Sequence, residues 1–236
     1  DEQKAFAWLQ EAIFLTEPGD TFAFGNYFAE EETDRSWRIV WRVLEKTETE
    51  VTAVSEYVID AVPWQDTQPE ARWAESALRH WLNHDFPLFA FSAQERSLLV
   101  KTAVQTEDNP DYGTAAGVAC YDRVSLLSIE EALRYFTPAG ETPERHVVED
   151  PEGQAAMPAG VSEAVWYDPG GLGAMTAATP FALARGAEHD EQSGGCSWWL
   201  RSPGCAEGGE SAGFAAYVMS AGEIYSLGDS VDSVKG

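Results

Sequence analysis

The residues that build metal and redox centres are scarce in this chain, with three cysteines and four histidines among 236 residues. Cys120, Cys196 and Cys205 contain no C-x-x-C pair, which excludes a zinc knuckle or a thioredoxin-type motif. Basic residues are few as well: fifteen Lys and Arg stand against forty Asp and Glu, a formal net charge of −25. Such a surface repels phosphate backbones and anionic headgroups, so nucleic acid and anionic membranes are excluded as partners. No run approaches the roughly 18 apolar residues that a spanning helix needs, so this segment inserts in no membrane. Walker and dinucleotide fingerprints are missing, as are glycosylation sequons. Forty carboxylates invite a calcium reading, but no D-x-[DN]-x-[DN]-G loop is present, so they read as solvated surface and no cofactor is expected. The chain does not begin with Met, which leaves room for a removed signal or anchor.

What is present is aromatic: nine tryptophans, eight tyrosines and eleven phenylalanines within a 44% hydrophobic composition. That is ample for a packed core and excludes disorder for the bulk of the chain. Residues 3–15 have helical spacing (Phe6, Trp8, Leu9, Ala12, Ile13), and residues 1–17 form a docking helix or linker before one domain over 18–236. Thr21 to Phe24 leads into a turn at Gly25-Asn26. Arg38 to Leu44 alternates around Ile39, Trp41 and Val43, and Val51 to Tyr57 is its hairpin partner. The run Glu30-Glu31-Glu32 is a solvated loop.

From Trp73 the period changes to helical. Ser76 caps a helix carrying Leu78, Trp81 and Leu82 that ends before Pro87. Ser92 to Glu95 and Ser128 to Glu131 are capping boxes that each open a helix. Residues 106–117 form a loop, Val124 to Leu127 a short strand, and residues 137–175 are the least structured by pattern. Thr179-Pro180 starts a further short helix. Phe214 to Met219 and Glu223 to Leu227 form a hairpin around Ser220-Ala221-Gly222. With neither a linker nor an internal repeat, the fold class is a single α+β domain.

Several motifs are decoys. Gly209-Glu210-Ser211-Ala212-Gly213 matches the nucleophile elbow G-x-S-x-G, yet strand-like residues follow it and all four histidines precede Ser211. His80 and His84 have the i, i+4 spacing of a metal pair, but Trp81 stands where H-E-x-x-H requires Glu, and surface histidines are the simpler reading. Gly170-Gly171-Leu172-Gly173 is a flexible loop. Cys196 and Cys205 bracket a tryptophan-rich strand and would be placed to bridge around its turn, a matter of geometry that spacing does not decide.

That strand is Ser197-Trp198-Trp199-Leu200-Arg201-Ser202-Pro203-Gly204, which ends on a Pro-Gly turn signal. Alternation sends Trp198 and Leu200 to one face, Trp199 and Arg201 to the other. It resembles the hallmark of an uncharacterised bacterial domain family. Collinear companions run through Gly19-Asp20, Phe24-Gly25, Trp41-Arg42-Val43-Leu44, Tyr57 to Asp60, Ser76 to Asn83 and Asp122 to Ser128. Thr179 to Ala182 precedes the hallmark, and Ala215 to Val218, Gly222 and Gly228 follow it. The resemblance implies a C-type-lectin-like fold of the formylglycine-generating-enzyme type, with a twisted antiparallel sheet, helices and extensive irregular loops. It also implies a relation to the variable proteins of diversity-generating retroelements, which vary surface positions on a fixed scaffold. Such families often close with a further strand just where this sequence stops, at Val234-Lys235-Gly236.

The function expected is a non-enzymatic, ligand-displaying domain. Trp198, Trp199, Leu200, Arg201 and Gly204 are framework, with Arg201 bracing a loop through backbone carbonyls. Glu207, Glu210, Phe214, Tyr217, Glu223, Tyr225, Asp229 and Asp232 form the binding surface, Tyr217 and Tyr225 being its aromatic anchors for a protein or glycan. One alternative is an oxidising enzyme using Cys196 and Cys205; another is a purely structural surface module. Oligomeric state is left open, and a cell-surface or extracellular location is favoured.

Overall fold

The computed structural model describes residues 2–28, 36–65, 72–149, 161–171, 173–206 and 213–236. The run Glu30-Glu31-Glu32, Glu207, Glu210 and most of the elbow-like stretch around Ser211 lie outside these residues. Helix α1 (Glu2–Phe14) opens the chain and packs Leu9 and Ile13 on the main core. Strands β1 (Thr21–Phe28), β2 (Ser36–Lys46) and β3 (Val51–Ser55) form an antiparallel sheet in that order, so β3 is an edge. The β2–β3 hairpin is the one its alternation predicts. Gly25-Asn26 is not a turn: β1 runs through it with a bulge between Ala23 and Asn26. Gly25 has φ 75°, and a Cβ there would sit 2.5 Å from the Phe91 ring. Bulges and turns draw on the same residues, which is why the sequence reads as a turn.

Next come β4 (Val62–Pro63), a 3-10 turn at Trp73–Glu75, and helices α2 (Ala77–His84), α3 (Phe86–Ala90) and α4 (Ala93–Arg96). Ser76 Oγ accepts from Arg79 N, and the Ser92–Glu95 capping box closes as predicted. Pro87 is the second residue of α3, a position where its missing N–H forfeits no helical bond. Strands β5 (Thr102–Val104) and β6 (Cys120–Asp122) pair with each other. Val124 to Leu127, expected as a strand, is a strap without strand pairing. Its carbonyls are taken one by one, Val124 by Asn83 Nδ2, Leu126 by Arg201 Nη1 and Leu127 by Arg201 N.

Helix α5 (Ile129–Phe136) begins at the second capping box, each such cap contributing about 1 kcal/mol. Then follow β7 (Glu144–Glu149), β8 (Glu163–Asp168), α6 (Pro180–Ala184), β9 (Trp198–Pro203), β10 (Phe214–Val218), β11 (Ile224–Ser230) and β12 (Val234–Lys235). The second sheet has the order β7-β8-β11-β10-β9, and β12 pairs with β4. Strands β7 and β8 fall within the stretch expected to be least structured. Most of β7 is exposed, so no apolar alternation marks it.

Strand β9 is buried on both faces. Trp198 and Leu200 pack with Ile129, Ala132 and Phe136 of α5, whereas Trp199 joins the cluster that contains Trp64, Trp73 and Tyr217. Fully burying one such indole contributes roughly 4–6 kcal/mol of transfer free energy. The Pro203-Gly204 turn is not formed. Pro203 pairs with Ala215, Gly204 N donates to Phe214 O at 2.7 Å, and Cys205 N donates to Leu227 O at 2.8 Å. A Cβ on Gly204 would lie 2.4 Å from Leu227 O, so this glycine serves close packing rather than chain reversal. The architecture is α+β with antiparallel sheets. Cys196 and Cys205, expected as a possible bridge, are thiols in two different core clusters.

Candidate functional site

The two sheets do not close fully upon each other. Between them lies a cavity of about 180 Å3, bounded by chain segments 53–60, 124–127 and 173–176, with Trp41, Trp81, Phe136, Trp198 and Trp199 in its walls. Three of those indoles are pinned through their N–H groups to backbone carbonyls. Trp41 donates to Phe24 O at 2.7 Å, Trp198 to Ala174 O at 3.1 Å and Trp199 to Val62 O at 3.1 Å. Rings held at both the packed face and the polar tip give preformed walls rather than collapsible ones.

The charged groups of this lining are already committed. Arg42 bonds Glu56 through Nε at 2.8 Å and Nη2 at 2.6 Å, and this carboxylate fork raises the guanidinium pKa further. Asp60 accepts from Tyr27 Oη at 2.7 Å and Arg185 Nε at 3.3 Å. Burial first, then the Asp60 charge, drives the Tyr27 phenol well above its ordinary range. Four other polar groups of the lining make no hydrogen bond among the described residues: the hydroxyls of Ser55, Tyr57 and Ser125 and the indole N–H of Trp81. An apolar hollow with a few uncommitted donors is what a small-molecule or side-chain pocket requires.

The residues expected to form the binding surface are arranged differently. Tyr217 lies 5.4 Å from Tyr225 and 6.3 Å from Trp199, ring centre to ring centre. Lys235 stands over the Tyr217 ring at 4.1 Å and beside Trp199 at 5.6 Å. Its ammonium, with the side chain 3% exposed, donates to Asp229 Oδ2 at 2.9 Å and to Glu188. Burial, followed by the charges of Glu188 and Asp229, raises the Tyr217 phenol; burial is also the main cause for Tyr225. Tyr217, Tyr225 and Asp229 thus form one cluster closed by Lys235. Phe214 is half-buried against Cys205 and Leu227. Glu223 is half-buried at the hairpin turn, and Asp232 is exposed, accepting the Ser230 hydroxyl. These last three are not brought into that cluster.

Of the framework residues, Trp199, Leu200, Arg201 and Gly204 are buried and Trp198 is half-buried. Arg201 binds Glu131 through both terminal nitrogens, Leu126 O, Gln105 O at 2.9 Å and Thr106 Oγ1 at 3.0 Å. It therefore braces the strap and α5 from within β9. The Cys196 thiol is pushed up to about 11 by burial and by Glu188, so it stays protonated at neutral pH. His80 and His84 stack with ring centres 4.2 Å apart on the exposed face of α2. Among the described residues no group of three or more His, Cys, Asp or Glu is placed to hold a metal ion, and no helix is long and apolar enough to cross a membrane.

Sequence reasoning missed the cavity because its walls come from distant, irregular segments whose tryptophans each read as core. It missed Lys235 because nothing in a single lysine signals burial. Comparison with known proteins finds a match to the model of the family described as a domain of unknown function, DUF6273, over residues 49–234. The match spans most of the chain, which belongs to that family. No curated protein and no solved structure matches.

Proposed function

We propose that this DUF6273 member is a non-enzymatic ligand-binding domain whose site is the aromatic cavity at the edge of β3. The observation that carries the reading is the combination of an open, rigid apolar hollow and four uncommitted polar groups on its lining. Its volume is in the range of an engineered cavity of about 150 Å3 that holds one benzene ring, which fits a single-ring ligand or a large apolar side chain. The apolar lining favours such groups over a sugar, so the protein half of the expected protein-or-glycan ligand is the better supported. A C-type-lectin-like relation, with display on a fixed scaffold, is compatible with this reading. The C-terminal residues Phe214, Glu223 and Asp232 then contribute at most an outer contact. For the oxidising-enzyme alternative, Cys196 and Cys205 stand in separate clusters, which gives that chemistry no support.

The test is titration of the 15N-labelled protein with p-cresol and indole. Shifts centred on Ser55, Tyr57, Trp81 and Ser125 are expected at millimolar ligand or below. Ser125→Trp, which places an indole on an exposed lining position, should abolish them while leaving the remaining spectrum unchanged. Shifts centred instead on Phe214, Glu223 and Asp232, or none at all, would overturn the proposal.

A further inference from the structure

Sheet edges usually carry a device that prevents pairing with another chain: a charge, a proline, a bulge or a cover. Three of the four outer edges in the two larger sheets have one. The β1 edge is sealed by side chains, with Arg38 on Ala23 O, Trp41 on Phe24 O and Glu95 on Gly25 N. Strand β7 carries Glu144, Arg145, His146 and Glu149. The β9 edge is covered where Trp199 N donates to Gly236 O and Gly236 N to Ser197 O. Strand β3, Val51-Thr52-Ala53-Val54-Ser55, contains neither charge nor proline, and the bulge of its hairpin falls on β2.

The register says which β3 groups point outward. Glu56 N donates to Val40 O, so Val40 and Glu56 are a hydrogen-bonded pair, and by alternation Arg42 and Val54 are the next. Ala53 and Ser55 then belong to non-bonded pairs, and their N–H and C=O groups face away from β2. Val43, opposite Ala53, confirms the phase, because its N–H and C=O bond Asp20 and Gly19 on the β1 side. The cavity lies along this edge. Trp41 and Arg42 face opposite sides of the sheet, yet both line it, as do the consecutive residues 53–56. It therefore wraps around the edge of β3 instead of lying over one face.

Resting on the cavity reading above, we infer that the ligand is an extended peptide segment that adds as a strand to β3, with one large apolar side chain in the cavity and basic residues flanking it. Main-chain pairing to Ala53 and Ser55 supplies affinity, and the hollow selects the side chain, the division of labour usual in strand addition. Charge selects the flanks. The Arg42 guanidinium is held by Glu56, Glu48 and Glu50 border β3, and the net charge is −25. The same charge disfavours a second copy of this chain as the occupant.

The probe is a set of twenty fluorescent heptapeptides, Lys-Thr-Val-Xaa-Val-Thr-Lys, with every amino acid at Xaa, titrated by anisotropy against the full chain. Peptides with Trp, Phe or Leu at Xaa should bind at least tenfold tighter than those with Gly or Asp. Methylating the backbone amides that flank Xaa should weaken the best binder at least tenfold. Ser55→Pro removes an outward N–H and no ladder bond, a substitution that edge strands tolerate. It should abolish peptide binding with an unchanged unfolding midpoint, whereas Ser55→Ala, which keeps that N–H and loses only the hydroxyl, should weaken binding by less than tenfold. The inference fails if no peptide binds, if the N-methylated peptide binds equally well, or if Ser55→Pro binds like the parent. Concentration-dependent dimerisation removed by Ser55→Pro would replace the peptide with a second copy. If p-cresol or indole binds while no peptide does, the cavity reading stands and only the strand addition falls; if neither binds, both fall.

Discussion

The cavity beside β3 and the cluster around Lys235 share a wall, Trp199, and differ in almost everything else. Around Lys235 the buried charge is answered inside the protein: the ammonium has two carboxylates and the face of Tyr217, while the Tyr217 and Tyr225 hydroxyls make no hydrogen bond among the described residues. Along the cavity, hydroxyls, an indole N–H and two outward backbone positions have no answer within the described chain. Leaving a buried charge without its partners costs about 3–5 kcal/mol, so folding alone drives the ammonium of the first region to its carboxylates. Groups that remain unanswered at an accessible hollow are available to a ligand. Aromatic richness by itself does not separate the two regions; a buried, paired charge in one and an accessible hollow in the other do.

The largest expected effect comes from opening the closed region. Lys235→Met keeps most of the side-chain stem against Trp199 and Tyr217 but strands Glu188 and Asp229. Breaking a fully buried pair costs about 3–5 kcal/mol. Here Glu188 and Asp229 keep 57% and 38% of their side-chain surface exposed, so water screens part of the loss. A loss of about 1–3 kcal/mol is expected in urea unfolding, with binding of p-cresol at the cavity unchanged. A variant as stable as the parent would mean that the cluster is not the closed unit described.

A smaller effect should separate the sealed β1 edge from the open β3 edge. Glu95 accepts from Gly25 N, Ser92 N and Arg38 Nη1. Burial pulls its pKa upward, but the hydrogen bonds from Ser92, Gly25 and Arg38 prevail and hold it below its usual 4.5. A carboxylate depressed in the folded state stabilises the protein above its unfolded pKa, and that contribution is lost as pH falls through the lower folded value. Glu95→Gln should therefore cost about 1–2 kcal/mol at pH 7. Thermal unfolding of the two proteins should converge as pH drops below 4.5. A gap that stays constant down to pH 3 would contradict the assignment.

The sequence was legible where a local signal carries its own chemistry. Ser76, the two capping boxes, Thr179-Pro180 and the β2–β3 alternation each name an element from neighbouring residues. The alternation of Trp198 to Leu200 correctly divides two clusters. It was illegible where a distant partner decides. The Val124 to Leu127 strap depends on one arginine 75 residues away, and the Gly25 bulge on a ring of α3's neighbour Phe91. Pro203-Gly204 reads as a turn until β10 lies against it. The candidate site is of the second kind throughout, since Ser55, Trp81 and Ser125 meet only when the two sheets are in place. Tyr217 and Tyr225, expected as aromatic anchors of a surface, lie side by side, and Lys235, which no local signal marks, stands over the Tyr217 ring.

Hydrogen exchange of individual backbone amides in the unliganded protein reads the contrast between edge and centre directly. The Ala53 and Ser55 amides should exchange at least tenfold faster than those of Val54 and Glu56, an odd–even split along β3. Strand β10, flanked on both sides, should show no such split. Uniform protection from Ala53 to Glu56 would mean that the β3 edge is already covered, and the open site described here would not exist.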